Sequence, residues 1–120
     1  MKLVVFILNN PDLLDDFLEE LYRNGIQGGT IIDSQGMAKK ITDYNNADLV
    51  SVLKQLFIIP RDSNRTLLFC LKQEQLDMFK AVANKVTGGL DKPNTGVLMV
   101  LPLDEVYGSF IIRNDQKENQ

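Results

Sequence analysis

An α+β sandwich is the fold class that this sequence predicts, on three observations. Four short runs rich in β-branched and apolar residues read as strands. Two amphipathic stretches read as helices, one between the first two runs and one between the last two. A long, mostly polar segment separates the second run from the third. The order strand, helix, strand, insertion, strand, helix, strand is the βαββαβ arrangement of a ferredoxin-like domain, with a helix-containing insertion between strands 2 and 3.

The first strand is Lys2 to Leu8, an unbroken apolar run closed by Asn9, Asn10 and Pro11, as a buried central strand would read. Asn10 is placed to cap a helix with Pro11 at its first position, and Asp12, Asp15 and Asp16 put negative charge at the positive end of that helix. Leu13, Leu14, Phe17, Leu18 and Leu21 recur at helical spacing until Gly25 supplies the C-terminal cap. A second strand follows at Thr30, Ile31 and Ile32, entered through Gly28 and Gly29, with Asp33 and Ser34 as the turn at its end.

Gln35 to Asn46 shows neither period and reads as an exposed, mobile connection. Leu49, Val50, Leu53, Leu56 and Phe57 restore a helical stripe within the insertion, and Pro60 and the polar run Arg61 to Asn64 lead into a third strand at Thr66 to Leu71. Leu76, Phe79, Val82, Ala83 and Val86 mark the next helix, stopped by Gly88 and Gly89. Val97 to Leu101 is the fourth strand, ended by Pro102. One domain over residues 1–113 and a polar tail over 114–120 are expected.

The chain has 120 residues, of which 44% are hydrophobic, enough for one real core. No apolar run reaches the roughly 20 residues of a membrane span, and the N-terminal run meets Asn and Pro before any cleavage pattern. The expected location is cytoplasmic, without direct membrane insertion. A net charge of -3 offers no electrostatic term for a polyphosphate backbone, so nucleic acid is not an expected partner. Cys70 is the only cysteine and there is no His, which removes internal disulfides, CxxC pairs, imidazole ligation and Ser/His or Cys/His catalysis. Cys70 lies within an apolar run and reads as a buried small hydrophobe, and Met78 and Met99 read as core packing.

Three stretches carry a resemblance. Gly25-Ile26-Gln27-Gly28-Gly29-Thr30-Ile31, followed by Gly36, looks like the segment that leads to the T-loop of the PII signalling family. Val86-Thr87-Gly88 and the loop to Thr95 and Gly96 resemble that family's B-loop, and Pro102-Leu103-Asp104-Glu105-Val106 resembles its Pro-Val-Glu-x-Val segment. The sequence is therefore similar to a divergent PII-like (nitrogen regulatory protein P-II) member over residues 2–108. The resemblance implies a homotrimer with sheets around a central axis and an adenine nucleotide in the clefts between neighbours. It further implies that Thr30 meets the adenine, that Gly36, Met37 and Ala38 form the base of the T-loop with Lys39 and Lys40 beside it, and that Thr87, Gly88, Gly89, Asn94, Thr95 and Gly96 line the phosphate side.

Glycines let a backbone approach a ligand closely and present N–H groups to an anion, while lysines add charge pairing. Gly28, Gly29, Gly88 and Gly89 also fit plain turn and cap positions, and Lys39 and Lys40 also fit a solvated pair. The family's Gly-Asp-Gly-Lys is replaced by Leu90-Asp91-Lys92-Pro93-Asn94-Thr95-Gly96, and the basic residues after Pro-Val-Glu-x-Val by Tyr107, Gly108 and Ser109. Each missing charge-assisted contact removes about 1.5–3 kcal/mol, so AMP, ADP or a cyclic nucleotide is expected in preference to ATP.

The expected role is signal transduction: a bound small-molecule effector orders the Gln35 to Asn46 segment and changes the surface shown to a protein target, such as a membrane transporter. No catalysis is expected. The alternatives are a small enzyme on the same fold, with Asp33 and Ser34 as candidates, and a CutA-like metal-associated trimer. The first lacks a nucleophile beside a base and the second lacks soft ligands.

Overall fold

The computed structural model describes residues 1–43 and 63–108. Within them the chain forms β1 (Lys2–Leu8), α1 (Leu14–Arg23), β2 (Thr30–Ser34), α2 (Met37–Asp43), β3 (Asn64–Leu71), α3 (Gln73–Thr87) and β4 (Gly96–Pro102), with a 3-10 turn at Pro11–Leu13 before α1. This is a small α+β fold with one four-stranded antiparallel sheet in the order β2-β3-β1-β4. Strand order and connections are compatible with the ferredoxin-like class.

The local signals act as the sequence suggests. Asn10 Oδ1 accepts a hydrogen bond from the Asp12 N–H at 3.0 Å, so Asn10 caps the 3-10 turn that winds into α1. Gly25 follows α1 at φ +81 and Gly88 caps α3 at φ +83, both in the left-handed region where glycine is least strained. At the start of α3, Gln75 Oε1 accepts from the Lys72 N–H at 3.0 Å.

α1 and α3 cover one face of the sheet. Every second residue of the two central strands points into that layer: Val4, Phe6 and Leu8 from β1, with Leu67, Phe69 and Leu71 from β3. They meet Phe17 and Leu21 of α1 and Leu76, Phe79, Val82 and Ala83 of α3. Four phenylalanines form the centre, with Phe79 in edge contact with Phe6, Phe17 and Phe69 at centroid distances of 5.8, 5.4 and 5.2 Å.

Several expectations change. Asp33 and Ser34 are not a turn: β2 continues through both, Asp33 pairs with Arg65 at 3.2 Å, and Ser34 Oγ meets Asn64 and Thr66. The connection after β2 is not structureless, because Met37–Asp43 is a helix. Cys70 is half-buried rather than buried, and Met78 and Met99 are exposed instead of packed in the core. The physical reason for Cys70 and Met99 is shared: both lie on the sheet face that no helix among the described residues covers. The expected helix at Leu49 to Phe57, together with Tyr44, Phe110 to Ile112 and the tail 114–120, lies outside the described residues.

Candidate functional site

Sheet register places the candidate residues. Leu8 stands opposite Arg65 on one side and Gly96 on the other, and Ser34 stands opposite Asn64, so these residues mark one end of the sheet. α3 starts after β3 at the opposite end and returns, which brings Thr87, Gly88 and Gly89 to the same end as Gly96. Gly36, Met37, Ala38, Lys39 and Lys40 follow β2 at this end as well. Gly36 to Lys40 nevertheless follow the β2 edge strand whereas Gly96 opens the β4 edge strand, and those two strands are three spacings or about 14 Å apart. Thr30 belongs to neither group, being exposed on the uncovered face beside Leu68, about four strand residues from that end.

The loop from Thr87 to Gly96 is closed on itself. Thr87 Oγ1 donates to the Ala83 carbonyl at 2.6 Å and accepts from the Gly89 N–H at 3.3 Å, which ties the end of α3. The Leu90 N–H donates to Asn84 Oδ1 at 3.0 Å, and Thr95 Oγ1 donates to the Lys92 carbonyl at 2.9 Å. The Asn9 N–H then donates to the Thr95 carbonyl at 3.2 Å and anchors the loop to the end of β1. Asn94 takes φ +61, the turn that lets Gly96 enter β4. A Cβ at Gly96 would lie 2.8 Å from the Ile7 carbonyl oxygen, so the strand needs glycine there for close approach alone.

On the other edge, Gly36 opens α2: its carbonyl accepts from the Lys40 N–H at 3.0 Å. Met37 is exposed at the first position of that helix, and Ala38 and Lys39 are half-buried. The Gly36-Met37 backbone turn expected from the T-loop resemblance is thus the entry to a helix. Ser34 Oγ has the side chains of Asn64 and Thr66 as its partners, and neither can act as a base toward the hydroxyl.

Two cavities of about 310 Å³ lie on the helix side; Gly28 and Gly29 line the second, and none of the residues from Thr30 to Lys40 or from Thr87 to Gly96 named above as ligand contacts lines either. One is a charged seam between α1 and α3, with Asp16, Glu19, Glu20, Arg23 and Lys85 on its walls. The other is an apolar groove between α1 and the β2 edge. Among the described residues no group of three or more His, Cys, Asp or Glu could hold a metal ion, and no helix is long and apolar enough to cross a membrane.

The feature that sequence reasoning missed is the sheet face that no element among the described residues covers. Register puts Thr30 and Ile32 of β2, Thr66, Leu68 and Cys70 of β3, Leu3, Val5 and Ile7 of β1, and Val97, Met99 and Leu101 of β4 on that face. None is charged. Ile32 (44%), Val97 (52%), Met99 (41%) and Leu101 (46%) are exposed on it. Strands that expose one face to water normally alternate apolar and polar residues, whereas β1 and β4 are apolar on both sides. That continuous apolar run was legible in the sequence, but the same run describes a strand buried by helices on both faces.

No family model matches the sequence, and no curated protein matches it either.

Proposed function

We propose that the chain is a PII-like regulatory protein: a ferredoxin-like domain that assembles as a homotrimer, binds an adenine nucleotide between copies and presents the α2 region to a protein target. The observation that carries this reading is the uncharged, apolar sheet face opposite the helices. Contiguous apolar patches of a few hundred Å² on a single chain are often functional, and this one supports a docking role.

Its size favours a closed ring over a face-to-face pair. Four strands about 4.8 Å apart and about seven residues long at about 3.3 Å each give a face of roughly 400 Å². A stable partner contributes about 800 Å² per side, so the sheet edges and their loops must add the rest. In a cyclic assembly the β2 edge of one copy meets the β4 edge of the next. That juxtaposition would set Gly36 to Lys40 of one copy near Thr87 to Gly96 of its neighbour, completing a cleft whose two halves adjoin strands about 14 Å apart in a single chain.

The loop chemistry supports a ligand with little phosphate charge. Both threonine hydroxyls and the N–H groups of Gly89, Leu90 and Lys92 already have partners within the protein, and Lys92 is the only basic residue between Thr87 and Gly96. AMP, ADP or a cyclic nucleotide fits this complement better than ATP. Binding orders or shifts α2, and the changed surface regulates the target.

Native mass spectrometry of the purified protein, alone and with ATP, ADP, AMP, cyclic AMP and cyclic di-AMP, tests the proposal. A trimer that takes up to three copies of one nucleotide is the expected result. A monomer that binds none of them overturns both the assembly and the sensor role.

A further inference from the structure

The apolar groove of about 310 Å³ along β2 is not used by the nucleotide reading. Phe69, Leu21 and Ile26 form its buried floor, and Leu18, Tyr22 and Ile31 form its walls. Tyr22 is 67% exposed and Ile31 44% exposed, so the groove faces water in the single chain. It stays open because the chain enters β2 through Gly28 and Gly29. A Cβ on Gly29 would stand 2.3 Å from Phe69 Cζ, so the backbone lies flat against the ring.

Among the described residues β2 is also a sheet edge, bonded to β3 on one side only. A free edge beside an apolar groove supplies the two elements that recognise an added strand: a row of main-chain partners, and pockets for alternate side chains. At the opposite edge the chain leaves β4 at Pro102, and the Leu103 N–H donates to the Met1 carbonyl at 3.3 Å before the chain reaches Gly108. Beyond Gly108, outside the described residues, the sequence reads Ser109-Phe110-Ile111-Ile112-Arg113, a short segment of aromatic and β-branched residues.

We propose that Phe110 to Ile112 of one copy adds as a strand to the β2 edge of the neighbouring copy, with Phe110 and Ile112 in the groove and Ile111 beside Ile32 on the apolar face. Period-two alternation demands this division of side chains. The donor is a second copy because the segment departs beside β4, whereas the groove lies at the far edge. A contact between unlike edges closes into a ring. The inference rests on the trimeric reading above and names what holds neighbouring copies together.

The test uses the full chain in a Cys70→Ser background. Ile32→Cys and Ile111→Cys are introduced together, oxidised mildly and resolved by non-reducing electrophoresis. Covalent dimers and trimers are expected. In parallel, the full-length Phe110→Asp, Ile112→Asp variant is expected to raise the concentration at which the assembly dissociates by at least tenfold in native mass spectrometry. An assembly that keeps its mass and its dissociation concentration in this variant overturns the strand addition and leaves the trimer standing. A disulfide formed only within single chains overturns the choice of donor. A parent chain that is monomeric overturns the trimer and this inference together.

Discussion

The two faces of this sheet are built from the same residue types, yet only one is finished. On the helix-covered face, Val4, Phe6, Leu8, Leu67, Phe69 and Leu71 are sealed by α1 and α3. On the other, Leu3, Val5, Ile7, Leu68, Val97, Met99 and Leu101 share the same hydrophobicity and have no covering element among the described residues. The covered face accounts for the stability of one chain, and the open face is the surface that the proposed assembly would cover. Substitutions on the two faces should therefore fail in different ways.

The largest effect belongs to the covered face. Phe79 is fully buried and touches Phe6, Phe17 and Phe69, so Phe79→Ala should cost about 3–5 kcal/mol, read as a lower urea midpoint at unchanged slope. A cost below about 1 kcal/mol would mean that this cluster is not the core that holds the chain together.

Next comes the open face. Met99→Lys places a charge midway along the edge strand β4 on the apolar surface, and an unpaired charge buried at an interface costs about 3–5 kcal/mol. The variant should keep the far-UV circular dichroism of the parent and fall to single-chain mass. Unfolding would show instead that the face belongs to the core of each chain, and unchanged mass would show that no copy covers it.

What could be read from the sequence follows the same division. The stripes Leu13, Leu14, Phe17, Leu18, Leu21 and Leu76, Phe79, Val82, Ala83, Val86 were legible because one-sided burial imposes a period on a helix. The β1 and β4 runs were legible as strands, but a run apolar on both sides does not say what covers each side. α2 was missed because Met37 to Asp43 has no apolar stripe; its signal is the helix propensity of Met37, Ala38, Lys39 and Lys40 alone. Of the candidate site, the grouping of Gly36 to Lys40 and Thr87 to Gly96 at one sheet end follows from topology. Their separation across the sheet needed the strand order.

Gly29 shows the same limit at a single residue. A Gly-Gly pair before a strand reads as flexible hinge or ligand approach, but the decisive neighbour is Phe69, forty residues along the chain in β3. Gly29→Ala would press a methyl group into that ring, and the repacking should cost about 1–3 kcal/mol and narrow the groove beside Tyr22. Thermal unfolding would register the loss. A neutral or stabilising result would mean that the Phe69 ring can swing aside, and that the groove is adjustable rather than fixed by the backbone.

The smallest effect is expected where the helices meet water. Lys85 Nζ of α3 lies 3.2 Å from Glu20 Oε1 of α1, across the seam between the two helices, with the lysine side chain 68% exposed and the glutamate 26%. Solvent screens such a pair and ordering two long side chains opposes it, so its contribution lies at about 0–1 kcal/mol. Lys85→Met keeps an aliphatic stem in the seam that Leu13 and Val86 also line and removes the charge. It should shift the urea midpoint slightly in low salt, the shift should fade as salt is added, and the native mass should not move. A loss well above 1 kcal/mol that persists in salt would place part of the adhesion of α1 to α3 in this seam rather than in the phenylalanine cluster beneath it.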